Sequence, residues 1–311
     1  MASDIIESPE RASELAQLVV IAGPTATGKT AHALDLAARH DGTIINADAS
    51  QIYNELRILT ARPTDDDMAA APHRLFGVAA ATDIWSAADW AKRATVEIEA
   101  TMAAGRLPIL VGGTGFYLNA LLNGIADVPP IPDDIRAAVR ALPLSDLRHR
   151  LVHEDPEMAE RLRPSDPQRQ ARALEVIRTT GRSLAAWQRD TSPGLASQYR
   201  TEIRLLDLER GELFARCGAR FDAMVAAGAI EEVRALTQRH LDPDLPLMKA
   251  IGVPPLRAFL AGQLTLEEAG MRAKMDTRRY AKRQQTWFRT QMAAKLYRLP
   301  DTTDGTALAD T

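Results

Sequence analysis

The 311-residue chain has a single cysteine, Cys217. One thiol cannot close an internal disulfide or build a cysteine-rich zinc module, which points to an intracellular protein. Aromatic residues are also scarce, at 5%, so a core must be built mainly from Ala, Leu, Val and Ile. No stretch reaches the roughly 18 uninterrupted apolar residues of a membrane span. The N-terminus carries Asp4, Glu7 and Glu10 in place of a basic and then apolar signal segment. A cytoplasmic protein with no membrane partner is expected. What remains is ordinary globular usage, 46% hydrophobic and 25% charged, enough for a sizeable core and for about two domains at roughly 150 residues each.

The net charge of −3 conceals an asymmetry: residues 272–298 hold nine Lys and Arg against one acid, Asp276. Such a surface either meets a polyanion, whose counterions it releases, or is simply a solvated helix face.

Leu18 to Ala22 is a short β-branched run that ends at Gly23, the pattern of a buried strand. Helical spacing follows over Thr30–Arg39, a second strand over Thr43–Asp48, a helix over Ala87–Ala104 and a third strand over Pro108–Val111. Alternation of this kind predicts an α/β fold, a P-loop-type parallel sheet core with helices on both faces. Its ligands are expected at the carboxyl ends of the strands. A proline cluster at Val128 to Pro132 opens a helical stretch, and Ile203 to Leu208 returns to strand character. The expected organisation is a mobile N-terminus (1–14), an α/β core (15–127 and 200–300) ending in a basic helix, a helical insertion domain (128–199) and a mobile tail (301–311).

Gly23-Pro24-Thr25-Ala26-Thr27-Gly28-Lys29-Thr30 fits G-x-x-x-x-G-K-[ST] between a strand and a helix. The glycines let backbone N–H groups turn around a phosphate, Lys29 supplies a point charge, and the Thr30 hydroxyl can ligate Mg²⁺. The loop reads only phosphate oxygens, so a nucleoside triphosphate and any other diphosphate both suit it. No Asn-Lys-x-Asp guanine motif is present, and the third strand runs into Gly112 and Gly113 where an ATPase usually has an acid. At the second strand end, Asp48 is either a helix cap or a general base, and Gln51 offers a donor and an acceptor suited to a base edge.

The chain resembles the tRNA dimethylallyltransferases, enzymes that prenylate N6 of the adenosine immediately 3′ of the anticodon. The likeness covers most of residues 15–300. It rests on the Gly23–Thr30 loop, Asp48-Ala49-Ser50-Gln51-Ile52-Tyr53, Thr60-Ala61-Arg62-Pro63-Thr64, Gly112-Gly113-Thr114-Gly115-Phe116-Tyr117, Asp166 to Glu175, Arg220-Phe221-Asp222-Ala223-Met224 and Thr277 to Gln284. The resemblance implies that the loop, with Arg220 as a second ligand, holds the diphosphate of dimethylallyl diphosphate with Mg²⁺ at Thr30. It also implies that Asp48 takes the proton of the attacking amine and that Thr114 orients amine or leaving group. Asp48, Ala49, Ser50, Gln51 and Thr114 are the expected tRNA contacts at the reacting end, and Gln168, Arg169, Gln170, Ala171 and Arg172 those of the insertion domain. Arg136 is either a further tRNA contact or part of a structural salt bridge. The basic segment offers phosphate contacts through Arg278, Lys282 and Arg289, while Tyr280 and Trp287, on another face of the helix, are either core residues, the favoured reading, or stacking platforms. Three positions depart from the family pattern: Ala49 where Ser is usual, Arg62 where Lys is usual, and Val253 where Tyr is common. A prenyl transferase acting on tRNA as a monomer is the expected activity. The rivals are an ATP-dependent small-molecule phosphotransferase and a non-enzymatic NTP-gated RNA-binding protein.

Overall fold

The computed structural model describes residues 17–292 and 295–298. The segments 1–14 and 301–311, for which mobility is expected, lie outside the described residues. The chain runs β1 (Gln17–Ala22), α1 (Lys29–His40), β2 (Gly42–Asn46), α2 (Asp65–Ala70), β3 (His73–Arg74), α3 (Ala87–Ala103), β4 (Leu107–Gly112) and α4 (Gly115–Asn123). Five helices follow: α5 (Asp133–Arg140), α6 (Leu144–Glu154), α7 (Pro156–Arg161), α8 (Pro167–Thr180) and α9 (Leu184–Arg189). It continues through β5 (Arg200–Asp207), α10 (Arg210–Ala226), α11 (Ala229–Gln238), α12 (Val253–Leu260), α13 (Leu266–Gln291) and β6 (Lys295–Arg298).

All six strands pair in parallel, in the order β3-β2-β4-β1-β5-β6. Val19 and Ile21 of β1, Ile44 of β2 and Ile109 and Val111 of β4 pack with Ala33, Leu36 and Ala37 of α1. The alternate residues Leu18, Val20, Ile45 and Leu110 are fully buried too, so the sheet is covered on both faces, as its near-continuous apolar strands require. The chain moves from β1 outward to β2, on to the edge strand β3, and back to β4. Right-handed crossovers in opposite directions put α1 and α3 on opposite faces. From α3, the Trp90 indole N–H donates to the Asn46 carbonyl (2.9 Å).

Neither outer strand is anticipated from the sequence. β3 has two residues, too few to show a period. β6 falls at the end of the basic 272–298 stretch, beyond the expected basic helix, which stops at Gln291. Its start is set by a capping box, in which Thr265 and Glu268 each accept the other's backbone N–H.

The chain divides into two compact units, one carrying the sheet and the other spanning Leu122–Gly194. The second is all-helical among the described residues, around a core of Val139, Leu147, Leu151, Met158, Ala173 and Leu174. Asp155 ties it together by capping α7 at Met158 and accepting from the Ser183 hydroxyl (2.9 Å).

Candidate active site at the carboxyl edge of the sheet

Strand register decides which residues meet. Ala22 pairs with Gly112 and Val111 with Asn46, so Gly23, Gly113 and Ala47 leave the sheet side by side. The Ala47 N–H donates to the Val111 carbonyl (2.8 Å), and the Thr114 N–H to the Ala47 carbonyl (3.2 Å). Gly112 is required at this crossing, because a Cβ there would stand 2.1 Å from the Ala47 carbonyl oxygen.

The phosphate loop leaves β1 at Gly23, whose φ of +146° only glycine adopts readily. Ala26 also holds a left-handed φ of +65°, a conformation that costs a non-glycine residue about 1–2 kcal/mol. The Thr27 hydroxyl braces the loop by donating to the Pro24 carbonyl (2.9 Å). The Lys29 ammonium donates to the carbonyls of Gly23 (3.0 Å) and Pro24 (2.6 Å), which leaves one of its three N–H donors for a ligand. Burial pushes Lys29 down to about 8, against the opposing pull of the Asp48 carboxylate and with a smaller push from Arg220. Arg220, on α10, reaches the loop at the Thr25 hydroxyl (3.4 Å). Burial lowers it as well, and the charge of Asp48 partly restores it.

Asp48 caps no helix. One carboxylate oxygen, Oδ1, accepts the backbone N–H (3.0 Å) and the hydroxyl (2.6 Å) of Ser50; Oδ2 has no hydrogen-bond donor among the described residues. The departure at Ala49 is therefore harmless to this carboxylate, since Ser50 holds it. Ala49 contributes its backbone N–H, donated to the Thr114 hydroxyl (2.9 Å). Gln51 is differently committed from the expectation. Both its amide N–H donors go to the carbonyls of Thr60 (2.9 Å) and Ala61 (3.0 Å), so only its oxygen remains to read a base.

A cavity of about 690 Å³ opens over these elements. Lys29, Thr30, Asp48, Arg220, Tyr280 and Arg283 form its polar wall. Ile44, Phe76, Val111, Phe221 and Met224 form an apolar one. Of the phosphate loop, Thr25, Ala26, Gly28, Lys29 and Thr30 face the cavity, whereas Gly23, Pro24 and Thr27 sit behind it. Thr114 also stands behind the wall. It acts through Ala49, whose backbone N–H its hydroxyl accepts. Burial and the nearby Asp48 charge push the Tyr280 hydroxyl up.

Tyr280 was expected in the core, and its place on the cavity wall corrects that reading. Trp287 is half-buried and packs on Gly115, where a Cβ would meet its ring at 2.1 Å. A residue not anticipated at all is Gln284 of α13. Its oxygen accepts the Thr25 N–H (3.0 Å), and its amide nitrogen donates to the Gly113 carbonyl (2.8 Å). The available signal was a glutamine on an inward face, four residues after Tyr280 and four before the buried Phe288.

The expected tRNA contacts divide. Gln168, Arg169 and Arg172 are exposed on α8. Gln170 is buried and donates to the carbonyls of Arg163 (3.0 Å) and Pro164 (2.9 Å), which removes its side chain from the surface, and Ala171 packs against the core of its own unit. Arg136 makes the structural salt bridge, to Asp133 at 3.1 Å. On α13, Arg289 is held by Asp207 (2.7 Å) and Lys274 by Asp222 (2.6 Å), while Arg278 and Lys282 are exposed.

Residues 51–291 match the model of the IPP transferase family. The chain is 49% identical over 302 residues to a tRNA dimethylallyltransferase of Rhodopseudomonas palustris, covering 96% of this chain and 94% of the relative. A tRNA dimethylallyltransferase of Sphingopyxis alaskensis is 52% identical over 278 residues, covering 89% and 91%. The crystal structure of the tRNA isopentenylpyrophosphate transferase of Bacillus halodurans is similar at a TM-score of 0.66 and 35% identity, covering 91% of this chain and 89% of that one. A eukaryotic dimethylallyltransferase acting on tRNA superposes at a TM-score of 0.81 with 25% identity, covering 92% and 74%. Phosphate loop, aspartate turn and parallel sheet thus stand in a chain that belongs to the IPP transferase family.

Proposed function

We propose that this protein transfers the dimethylallyl group of dimethylallyl diphosphate to the exocyclic N6 amine of the adenosine immediately 3′ of the anticodon in tRNA, releasing diphosphate. One observation carries the reading: a carboxylate with an uncommitted oxygen and a lysine–arginine phosphate cradle face the same cavity.

The chemistry demands that pairing. The adenine amine is a weak nucleophile because its lone pair is delocalised into the ring. Attack on the allylic carbon forms the C–N bond while the C–O bond breaks, and its electron pair leaves on the diphosphate. Lys29, Arg220 and the backbone N–H groups of the loop are placed to stabilise that charge. The proton released from N6 passes to Oδ2 of Asp48, which Ser50 orients through Oδ1. The apolar wall of Ile44, Phe76 and Val111 suits a five-carbon chain. Thr114, behind the wall, positions Ala49.

Mg²⁺ fits as a counter-ion of the diphosphate. Among the described residues no three His, Cys, Asp or Glu side chains converge. The Thr30 hydroxyl, on the cavity wall, would be the side chain that holds it beside the diphosphate. Bound there, it supplies charge neutralisation for the leaving group.

A stacked anticodon-loop adenosine must be turned out of its stack, at a cost of a few kcal/mol. Phosphate contacts offset such a cost, and Gln168, Arg169 and Arg172 on α8 and Arg278 and Lys282 on α13 are exposed for them. Among the described residues no helix is long and apolar enough to cross a membrane; a cytoplasmic, monomeric enzyme is part of the same proposal. The test is release of diphosphate from dimethylallyl diphosphate. Release that requires an unmodified anticodon stem-loop and is not supported by AMP sustains the reading. Conversion of ATP to ADP with no diphosphate from the prenyl donor favours a phosphotransferase.

A further inference from the structure

Helix α13 lies where three strands end, and it grips each end through a polar side chain. Gln285 donates to the Asp207 carboxylate (2.7 Å) and the Leu208 carbonyl (3.1 Å) at the end of β5, and Arg289 adds an ion pair to the same aspartate. Gln284 reaches the other two. Its oxygen accepts the Thr25 N–H, in the loop after β1, and its nitrogen donates to the Gly113 carbonyl, after β4. The side chain is 5% exposed and does not face the cavity. It has no route to substrate except through those two backbone groups.

The two groups belong to opposite halves of the proposed reaction. Thr25 lies in the loop that holds the leaving group. Gly113 precedes Thr114, whose hydroxyl fixes Ala49 and with it the backbone beside Asp48. A single amide therefore spans the donor half and the acceptor half. The contact is tight: a Cβ on Gly113 would come within 2.2 Å of the Gln284 nitrogen, so the glycine is what admits the side chain. An amide is also the side chain this task needs. One end must accept from an N–H and the other donate to a carbonyl; the Thr25 contact is part-buried and the Gly113 contact buried, where an unpaired polar atom costs about 1–3 kcal/mol.

We propose that Gln284 is a positioning residue for the prenyl transfer, setting the separation between the diphosphate loop and the Asp48–Thr114 turn, and with it the distance from allylic carbon to attacking amine. This rests on the function proposed above. Errors of about 1 Å in such a distance cost on the order of 100-fold in rate, so the expected defect lies in the chemical step and not in binding.

Two substitutions separate the arms. Gln284→Met keeps the volume and removes both hydrogen bonds. Gln284→Glu still accepts from Thr25 but sets a carboxylate against the Gly113 carbonyl. For each, single-turnover transfer to an anticodon stem-loop, KM for both substrates, binding of inorganic diphosphate and thermal melting are measured beside wild type. The expected result is a loss of roughly 100-fold in the single-turnover rate of Gln284→Met, with both KM values and the diphosphate Kd within about 3-fold of wild type. Gln284→Glu loses rate comparably and, if the methionine variant does not fold, decides the matter alone. A folded variant that transfers within about 3-fold of wild type overturns the proposal. So does a loss carried wholly by the donor KM, which marks a mere brace of the phosphate loop. If the wild-type enzyme itself transfers no prenyl group, the functional reading fails first and is recognised as such.

Discussion

Ser50 gives both its backbone N–H and its hydroxyl to one oxygen of Asp48, at 3.0 and 2.6 Å. The carboxylate is thereby fixed in rotation with its second oxygen turned free. A group that must meet an amine proton at a defined moment needs that constraint.

Asp48→Asn preserves the shape of this turn and removes the proton acceptor. The variant is expected to melt within a few degrees of wild type and to lose about 10²–10⁴ in single-turnover rate. A rate close to wild type would remove Asp48 from the role of base.

Ser50→Ala keeps the backbone N–H and loses the hydroxyl. Asp48 then rotates more freely, and the rate is expected to fall about 10-fold with KM for both substrates little changed. A rise in the tRNA KM at constant rate would instead make Ser50 a substrate contact.

Lys29 gives the donor site a pH dependence. Burial holds it down to about 8, below its ordinary value of 10.5, and an anionic diphosphate favours its ammonium form. Below pH 8 the charge is already present. Above it, binding must take up a proton, so the donor KM is expected to climb towards tenfold per pH unit. The unfolded chain holds this proton up to 10.5 and the folded chain only up to about 8, so the group's effect on stability is a gain with rising pH across that window. Lys29→Arg, charged throughout, should bind more weakly but show no climb. A donor KM that stays flat in wild type from pH 7 to 9.5 contradicts this account of Lys29.

Gly112→Ala tests the crossing of β4 with the Ala47–Asp48 turn. Its Cβ would stand 2.1 Å from a backbone oxygen, which no side-chain rotation relieves. A destabilisation of about 1–3 kcal/mol in urea unfolding is expected, together with loss of turnover as Asp48 shifts. Gly105→Ala is the comparison: that glycine has a positive φ, which Gly112 lacks, but meets nothing within 4 Å; it should cost only about 1 kcal/mol and leave turnover intact.

How much of this was legible in the sequence depends on whether a residue acts locally. The phosphate loop is contiguous, so Gly23 to Thr30 disclosed both its shape and its ligand class, and the strands flanking it are apolar enough to declare themselves. Asp48 was legible as a strand-end acid but not as Ser50's partner, because no periodicity distinguishes a turn that closes on itself from a helix cap. Gln284 stayed hidden, since its partners Thr25 and Gly113 lie more than 160 residues away in the chain. Gln170, in a stretch read as a nucleic-acid contact, faces inward because α8 spends that face on its own core. The basic stretch was read for its charge, and charge does not reveal that Arg289 and Lys274 already have acid partners.

The most direct measurement is nucleoside mass analysis of unmodified tRNA incubated with the protein, dimethylallyl diphosphate and Mg²⁺. The account predicts one dimethylallyl group on N6 of the adenosine immediately 3′ of the anticodon, with one diphosphate released per group transferred. Unaltered adenosine at that position, from protein that binds both substrates, would contradict it.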